Sequence, residues 1–444
     1  MKQSPSQSQD KEVFRKIFTD HWVSFCGQYP GYAQEQYEEP VEKMLSCGKE
    51  SGGYSEYICM HCGRDLRRVC FSCKSCFCLS CAKGYVDEFV SQVSTMLHPG
   101  VVYRHIVLTI PEQLRVIFYQ NRHDGRFLSA FMQCGYECLE AVCSLVRRVS
   151  LKIGAIVVVQ THGRSGHYHP HLHIIMTNGG IHTGSGRWFD LGYFPYEVLH
   201  KKWQYHLFGM VRSFGRGSPI KGASTLGTVE IKRLLNELWK RYPKGLVAYV
   251  TRGKVPESCR GLARYLAKYV ASPPIAVRRI VRYDGQKVTY WYRDHETKRK
   301  KFETVDVFTF IGRMVQHIFP KGFQRVRYFG LQATKTFKKW SEAIRKGLQR
   351  LGRVVKGAYQ VVRSKSYRER YKEVSGRDPM ICRYCGHEMD LWKIWHPKYG
   401  IIYDEYENLK AGKYEPLAER ADRGGCSVRS SAGAIQLSLF PVRV

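Results

Sequence analysis

The sequence predicts an α+β protein in which helices pack on one side of a sheet, with a cysteine-rich module before this domain and basic helices after it. Three observations lead to this prediction. Short apolar runs rich in β-branched residues, such as 105–111 and 154–160, alternate with helical patterns. The segment 169–176 places three histidines at the start of another such run. Eight cysteines between residues 47 and 81 have the spacing of zinc ligands.

The composition indicates a polyanionic partner. The 444 residues are enough for two or three domains, and 71 Lys and Arg against 38 Asp and Glu give a formal net charge of +33. Aromatic residues interleave with these cations, which favours nucleic acid as the partner. A membrane-surface protein is the alternative. It is less favoured because no apolar run approaches the roughly 20 residues of a membrane-spanning helix.

The polar start of the chain, MKQSPSQSQD, does not have the pattern of a signal peptide. We therefore expect a cytoplasmic protein without a membrane partner. In a reducing compartment, clustered cysteines indicate metal binding rather than disulfides.

The N-terminal third is expected to contain a leader, residues 1–45, with one helix from Phe14 to Phe25, followed by a zinc-binding module, residues 46–95. The module's cysteines are Cys47, Cys59, Cys62, Cys70, Cys73, Cys76, Cys78 and Cys81. Each Cys-x-x-Cys pair points two thiolates at one zinc ion, so eight thiolates are enough for two tetrahedral sites. The alternative is a set of buried core cysteines. The module would recognise DNA or act as a scaffold, and its folding would require the metal.

Residues 100–275 are expected to form the main domain, with an insertion over the site at 179–227. The histidine strand carries its candidate metal ligands. Because alternate side chains of a strand face the same way, His169, His171 and His173 project from one face. Two adjacent imidazoles can hold a metal ion such as manganese, magnesium or zinc, and Gln160, at the end of a neighbouring strand, is the candidate third ligand.

For His169 an ordinary core or surface role is equally favoured.

A helix near residue 261 carries two tyrosines one turn apart, Tyr265 and Tyr269, with Lys268 beside them. Tyrosines at this spacing are usually structural. A phenol is a poor nucleophile at neutral pH, but a metal ion on the histidines would polarise a phosphodiester for it.

The C-terminal part is strongly basic. Residues 276–332 are expected to complete the main domain, and 333–375 to form a helical arm that tracks phosphates or is simply a solvated charged surface. Cys382 and Cys385, with His387 and His396 nearby, predict half or all of one more zinc site, a knuckle at 376–400. The tail, 424–444, is expected to be disordered.

The motifs resemble one known family over most of the chain. They are Ser72, Cys73, Cys78 and Cys81, the segment VQTHG before HPHLH, the helix YLAKYV, the segment SPPIAVRRI with a later YWYRDH, and FIGRMVQHIFPKGFQRVRYFGL at 310–331. A histidine-hydrophobic-histidine strand with a Tyr-x3-Tyr helix resembles the two-tyrosine HUH single-strand endonucleases. The wider pattern resembles the rolling-circle transposases of the insertion sequence ninety-one family, in which position 160 is often histidine. The family does not assign Cys70 and Cys76, so the pairing of the cysteines stays open.

This resemblance implies an HUH nuclease domain with an antiparallel sheet, in a bacterial or archaeal protein associated with the nucleoid. It implies a transposase that cleaves and rejoins single-stranded DNA at transposon ends through a 5′-phosphotyrosine. Magnesium or manganese would be held by Gln160, His171 and His173. Tyr265 or Tyr269 would attack, and Lys268 would stabilise the charge on the phosphorus.

The partners implied are single-stranded transposon ends, target DNA, and the host helicase and replication proteins, because the chain has no G-x4-G-K-[ST] loop. A plasmid or phage replication initiator or relaxase with the same chemistry is the alternative. A non-catalytic zinc-knuckle DNA-binding protein is another, but it leaves the histidines and tyrosines unexplained.

Overall fold

The computed structural model describes residues 9–75, 77–217, 228–251, 259–270, 274–294, 296–352 and 365–411. The helices are α1 (Gln9–Gln28), α2 (Glu35–Ser46), α3 (Ala82–Thr95), α4 (Arg115–Gln120), α5 (Gly125–Arg147), α6 (Tyr196–Gly217), α7 (Thr228–Arg241), α8 (Cys259–Val270), α9 (Val307–Val315), α10 (Phe337–Arg350), α11 (Tyr367–Ser375) and α12 (Glu405–Lys410). The strands are β1 (Tyr54–Ile58), β2 (Leu66–Cys70), β3 (Tyr103–Thr109), β4 (Leu151–His162), β5 (Tyr168–His182), β6 (Trp188–Asp190), β7 (Ala248–Val250), β8 (Ile280–Tyr283), β9 (Lys287–Arg293), β10 (Lys300–Asp306), β11 (Val326–Gly330), β12 (Asp390–His396) and β13 (Gly400–Asp404). Within these described ranges, no helix combines the length and the apolar character that crossing a bilayer requires.

The chain divides into two units, each built from two separate segments. The first unit comprises Met1–Leu45 and Lys74–Arg363, and the second comprises Ser46–Cys73 and Ser364–Val444. The predicted module at 46–95 is divided between the two units, and the predicted knuckle at 376–400 lies within the second unit. The physical reason is that β1 pairs with β12 across more than 300 residues of sequence, a pairing that local cysteine spacing does not reveal.

The central sheet of the first unit has the strand order β11, β4, β5, β3, β7, with β6 paired to β5. Every pair of neighbours is antiparallel, which confirms the predicted α+β class. β4 and β5 are consecutive in the chain and form a long hairpin. Their β-branched residues suit a strand that is buried on both faces.

Helices cover both faces of this sheet, rather than one side only as the sequence predicts. On one face, Leu172 and Ile174 of β5 belong to a core that includes residues of α5 and α6. On the other face, Ile175 belongs to a core with residues of α3 and α8. The buried residues of α8, among them Leu262 and Leu266, recur at helical spacing and form one apolar stripe, so this helix needs a sheet face to cover it.

The described part of 179–227 does not form an insertion over the histidines. β5 continues to His182, and α6 buries Trp203 and Leu207 in the core that contains Leu172. Because successive residues of β5 face opposite ways, this core lies on the sheet face away from His171 and His173. The aromatic and basic composition of α6 suggests a surface element, but its apolar stripe is a core element.

A three-stranded antiparallel sheet, in the order β10, β9, β8, accompanies α1 and α9 in the first unit. The predicted leader is therefore an integral part of the fold. Phe14 of α1 lies 6.3 Å from Phe310 of α9, measured between ring centroids. The side chain of Asp306 accepts a hydrogen bond from the backbone N–H of Thr309 and so fixes the start of α9.

The second unit contains a four-stranded antiparallel sheet in the order β13, β12, β1, β2, together with α11 and α12. Ser366 and Glu369 form a reciprocal capping box at the start of α11. The basic arm predicted at 333–375 contains α10, which buries Ile344 and Leu348 in the first unit, and α11 of the second unit. Residues 353–364 of that arm and the predicted tail, 424–444, lie outside the described residues.

Candidate active site and zinc site

The β4–β5 hairpin brings Gln160 and the histidine strand together. Gln160 is the cross-strand partner of His171, and His173, two residues further along β5, projects from the same face. Gln160 and His173 are buried, and His171 is half-buried. The two strands therefore bring the three residues together by their register alone.

Three potential ligand atoms of these residues converge on one point. The Oε1 atom of Gln160 lies 3.1 Å from His171 Nε2 and 2.9 Å from His173 Nε2. The two Nε2 atoms are 3.2 Å apart. The Oε1 of Gln160 can only accept hydrogen bonds. If hydrogen bonds alone held the three residues together, the Nε2 atoms of both histidines would have to carry protons, and these N–H groups would also face each other. Three lone pairs turned inward fit a divalent ion better.

The outer hydrogen bonds of the two imidazoles agree with that fit. His171 Nδ1 lies 2.7 Å from the carbonyl oxygen of His169, to which only an N–H can donate, so the proton belongs on Nδ1 and the lone pair on Nε2. Burial lowers the pKa of His171, although this hydrogen bond opposes the shift. Burial, followed by the neighbouring His171, holds the pKa of His173 well below its usual value. Both rings are therefore neutral near pH 7, as metal ligands must be.

His169 contributes its backbone carbonyl to the site, through the contact with His171. His162, at the end of β4, lies 3.1 Å from the amide nitrogen of Gln160. The Gln160 Nε2 donates this hydrogen bond, which turns Oε1 towards His171 and His173. His162 is thus a supporting residue that the histidine spacing on β5 does not indicate.

His105, the third residue of β3, is a further site residue that sequence patterns did not indicate. His105 Nε2 lies 3.0 Å from His173 Nδ1, and its Nδ1 lies 2.8 Å from the hydroxyl oxygen of Tyr265. The hydroxyl of Thr251 is also 2.8 Å from this Nδ1. His105 is 2% exposed, and burial lowers its pKa to about 4. A single imidazole therefore connects the histidine strand to the tyrosine helix.

Tyr265 is placed by α8, the helix that covers the histidine-bearing face of the sheet. Its ring is half-buried and packs against the core that contains Leu262 and Leu266. Lys268 and Tyr269 belong to the backbone of the same helix, and their side chains lie outside the part of the chain that the structure describes. Tyr269 follows Tyr265 by four residues, about one helical turn.

The second unit contains a four-cysteine cluster. It consists of Cys59 and Cys62, which follow β1, and Cys382 and Cys385, which precede β12. All four sulfur atoms lie within 4.8 Å of one another, with Cys59 Sγ 3.4 Å from Cys385 Sγ and Cys62 Sγ 3.6 Å from Cys382 Sγ. A tetrahedral zinc ion with Zn–S bonds near 2.3 Å requires sulfur atoms about 3.8 Å apart, so this donor set fits structural zinc.

This cluster divides the cysteines differently from the prediction. Cys382 and Cys385 supply half of the four-cysteine cluster, which is one of the two predicted alternatives, and Cys59 and Cys62 supply the other half. The eight N-terminal cysteines consequently do not fill two sites among themselves. The rings of His61 and His387 stack outside the cluster, with centroids 3.7 Å apart, and both residues are exposed.

A buried carboxylate ties the two halves of the cluster together. Asp65 is fully buried and accepts hydrogen bonds from the backbone N–H of Arg383 at 3.0 Å and from its guanidinium at 3.0 and 3.1 Å. Burial would raise the pKa of Asp65, but these hydrogen bonds outweigh it, so that the pKa is lowered. The backbone carbonyl of Asp65 also accepts from the N–H of Cys59 at 3.0 Å. One residue thus supports both Cys-x-x-Cys turns.

The other N-terminal cysteines are described within their own units. In the second unit, the N–H of Cys73 donates to Cys47 Sγ at 3.3 Å, and Cys70 lies on β2. In the first unit, the N–H of Cys81 donates to the carbonyl of Cys78 at 3.1 Å. Cys76 lies outside the described residues.

Comparison with known proteins identifies transposases and a zinc-binding domain. A family model described as "Putative transposase" matches residues 154–339, and one described as "Transposase zinc-binding domain" matches residues 17–110. The chain is 30% identical to the transposase for insertion sequence element IS801 of Pseudomonas savastanoi pv. phaseolicola, over 302 residues that cover 67% of this chain and 70% of the relative. It is 28% identical over 384 residues to "Putative transposase y4qJ" of Sinorhizobium fredii (strain NBRC 101917 / NGR234), covering 83% of this chain and 92% of that protein.

No solved structure was found to match the chain. The match to the zinc-binding model and the four-cysteine cluster confirm the predicted structural zinc. The two family models, with the IS801 relative, also confirm the resemblance inferred from the motifs, and the chain belongs to the insertion sequence ninety-one family of transposases.

Proposed function

We propose that this transposase cuts one DNA strand at the ends of its element and becomes joined to the 5′ phosphate through Tyr265 or Tyr269. The observation that carries the proposal is the convergence of Gln160, His171 and His173 on one point, one imidazole away from the hydroxyl of Tyr265. A phosphate with an attacking phenol on one side and a cation on the other needs this arrangement.

Gln160, His171 and His173 would hold Mg²⁺ or Mn²⁺, which supplies a positive charge that polarises the scissile phosphate. The amide oxygen suits either ion, and the two imidazole nitrogens suit Mn²⁺ better than Mg²⁺. The sheet holds these side chains on two hydrogen-bonded strands, so their separation is fixed before DNA binds.

His105 orients the tyrosine. With the lone pair of His173 Nε2 directed at the ligand site, its Nδ1 carries the proton and donates to His105 Nε2. His105 therefore carries its own proton on Nδ1 and donates it to the oxygen of Tyr265 or of Thr251. A hydrogen bond accepted by the phenol oxygen stabilises the negative charge of the attacking form.

In the proposed step, the oxygen of Tyr265 or Tyr269 forms a bond to phosphorus while the bond from phosphorus to the 3′ oxygen breaks. The phenol proton is released, and the departing 3′ oxygen takes up a proton to become a hydroxyl. Lys268 is placed by sequence to offset charge on the phosphorus. The phosphotyrosine ester retains the energy of the phosphodiester, so the strand can be rejoined to another 3′ hydroxyl without ATP.

Two tyrosines would permit two cuts before either is reversed. We propose rolling-circle transposition with single-stranded transposon ends and target DNA as substrates. The chain has no recognisable P-loop, so strand separation would fall to a host helicase and the replication proteins. The formal charge of +33 would supply most of the affinity for DNA phosphates.

The test is covalent adduct formation on labelled single-stranded terminal DNA, resolved by denaturing electrophoresis. The variant carrying both Tyr265→Phe and Tyr269→Phe should form no adduct, because phenylalanine keeps the ring and removes the nucleophile. Tyr205→Phe is a matched control, since Tyr205 is an exposed tyrosine on α6, and it should react like the wild type. An adduct formed by the double variant would place the nucleophile elsewhere.

A further inference from the structure

Among the described residues, the three-stranded sheet of the first unit has one covered face and one open face. On the covered face, Val288 and Tyr290 of β9 are fully buried, and the Tyr290 ring lies 5.9 Å from that of Phe310 in α9. Because side chains alternate along a strand, Thr289 and Trp291 belong to the opposite face.

The open face carries an aromatic pair. Trp291 of β9 is the direct cross-strand partner of Phe302 of β10, so the two rings project side by side. Phe302 is 60% exposed, which is unusual for phenylalanine, and Trp291 is half-buried. Neighbouring aromatic residues on a sheet, with at least one ring exposed, are an arrangement on which single-stranded nucleic acids stack their bases.

Cations surround this aromatic pair. The Lys300 Nζ lies 4.6 Å from the centroid of the Trp291 ring, and the guanidinium carbon of Arg279 lies 5.6 Å from it. Lys300 is also the direct cross-strand partner of Arg293, and both are exposed on the open face. Like charges directly opposite each other destabilise a sheet, so this pairing favours a bound polyanion that neutralises both.

The guanidinium of Arg279 is incompletely hydrogen-bonded within the described residues. In the described part of the chain, its Nε is buried and has no hydrogen-bond partner, while its Nη1 donates to the carbonyl of Arg164 at 3.4 Å. Burial lowers its pKa, and the neighbouring Arg278 and Arg164 add to this effect. The guanidinium of Arg279 thus lies beside Trp291 under the influence of other positive charges, which a phosphate group would offset.

This surface adjoins the candidate active site. Arg164 and Ser165 belong to the short connection between β4, which carries Gln160, and β5, which carries His171. Arg279, beside Trp291, donates to the carbonyl of Arg164 in that connection at 3.4 Å, and on the covered face the hydroxyl of Tyr290 donates to the carbonyl of Ser165 at 3.3 Å.

We infer that the open face of the sheet formed by β8, β9 and β10 is a stacking platform for single-stranded DNA next to the cleavage site, with Trp291 and Phe302 under the bases and Arg279, Arg293 and Lys300 on the phosphates. The inference rests on the proposed function for the identity of the ligand, and it is independent of the tyrosine chemistry. The platform holds the strand beside the reacting phosphate rather than taking part in the reaction.

The test uses the full-length zinc-loaded protein carrying Tyr265→Phe and Tyr269→Phe, so that binding is measured without cleavage. Fluorescence anisotropy with a 5′-labelled oligothymidine of roughly 30 nucleotides reports affinity, and one base-aromatic stack corresponds to roughly a 5- to 100-fold change. Trp291→Ala and Phe302→Ala should each weaken binding within that range. Lys300→Ala should weaken it less and reduce the dependence of affinity on salt.

Tyr205→Ala, an exposed aromatic truncation on α6, is the matched control and should bind as the parent does. Equal melting temperatures would confirm that the truncations at the exposed positions leave the fold intact. A photocrosslink from 5-bromodeoxyuridine to the β9 or β10 peptides should appear in the parent protein. Parental affinity in both Trp291→Ala and Phe302→Ala would overturn the inference, as would a crosslink confined to other segments.

A second copy of the chain is the competing occupant of this face. A dimer that dissociates when Phe302 is replaced by alanine, with unchanged DNA affinity, would overturn the platform in favour of a protein interface. Failure of the wild-type protein to form an adduct, together with weakened binding in Trp291→Ala, would instead contradict the tyrosine chemistry and leave the platform in place. The binding measurement therefore tests the platform, and adduct formation tests the tyrosine chemistry.

Discussion

The Nδ1 atom of His105 lies 2.8 Å from the hydroxyl oxygen of Tyr265, and the opposite nitrogen of the same ring lies 3.0 Å from His173. A histidine that touches both a candidate metal ligand and a candidate nucleophile fixes their relative position. It also couples the protonation of His173 to that of Tyr265, because a neutral imidazole that accepts a hydrogen bond at one nitrogen donates from its second nitrogen.

His105 is therefore expected to be a positioning residue. His105→Ala should lower the rate of strand cleavage about 10- to 100-fold, the usual effect of losing a supporting partner of a metal ligand. His105→Asn keeps a donor near the position of Nδ1 and should restore part of the rate, whereas His105→Gln, with its amide near Nε2, should not.

The rate of cleavage is measured in single-turnover reactions, with the manganese concentration for half-maximal rate as the second readout. Loss of the contact with His173 should raise that concentration in His105→Ala, an effect that a purely structural role would not produce. Equal rates in the alanine, asparagine and glutamine variants would contradict the assignment.

The metal ligands give a second prediction. His171→Ala and His173→Ala should abolish cleavage of single-stranded terminal DNA and leave DNA binding nearly unchanged, since affinity comes mainly from lysine and arginine on phosphates. His169→Ala is the matched control, because alanine retains the backbone carbonyl to which His171 donates and removes only a ring that lies 5.5 Å from that of His171. Cleavage at the wild-type rate in His171→Ala or His173→Ala would remove the metal assignment.

Cys59 and Cys382 are more than 300 residues apart but belong to one cluster, so replacing either of them should remove the same zinc ion. Cys59→Ser, Cys382→Ser and the double variant should each lack one zinc per chain relative to the wild type, because all three changes break one tetrahedral site. We expect at least two zinc ions in the wild type, the second on thiols among the remaining N-terminal cysteines. Their pairing stays a prediction from spacing.

Zinc is counted by elemental analysis of protein purified without chelators. Cys26→Ser changes a half-buried cysteine of α1 and should keep the wild-type zinc content. A double variant that loses one more zinc than either single variant would show that Cys59 and Cys382 serve different ions.

Arg383→Met should destabilise the second unit, because it leaves the buried carboxylate of Asp65 without its main partner. The lowered pKa of Asp65 means that its stabilising effect is fully present above the unfolded-state pKa of about 4 and is lost as the pH falls through the folded-state value. At pH 7 the variant should unfold at a lower temperature and release zinc to a chelator faster. Unchanged values for both would show that the Asp65–Arg383 pair contributes nothing to the fold.

Much of the candidate site could be predicted from the sequence. The register of a hairpin follows from its apolar pattern, so the sequence alone is enough to place Gln160, His171 and His173 together. His105 could not be placed in this way, because a lone histidine at a strand start carries no periodic signal, and its partners come from β5 and α8. The proximity of Cys59 to Cys385 could not be predicted for a similar reason, since Cys-x-x-Cys spacing indicates only which cysteines share one turn of the chain.

The central claim is that a tyrosine of α8 becomes covalently joined to DNA, and the sequence makes the test direct. Trypsin cuts after Arg264 and Lys268, so Tyr265 and Tyr269 fall on different peptides, YLAK and YVASPPIAVR. Mass spectrometry of the wild-type adduct, after tryptic and nuclease digestion, should find a nucleotide phosphate on one or both of these peptides. A nucleotide found on a peptide from another part of the chain, with both of these unmodified, would contradict the account.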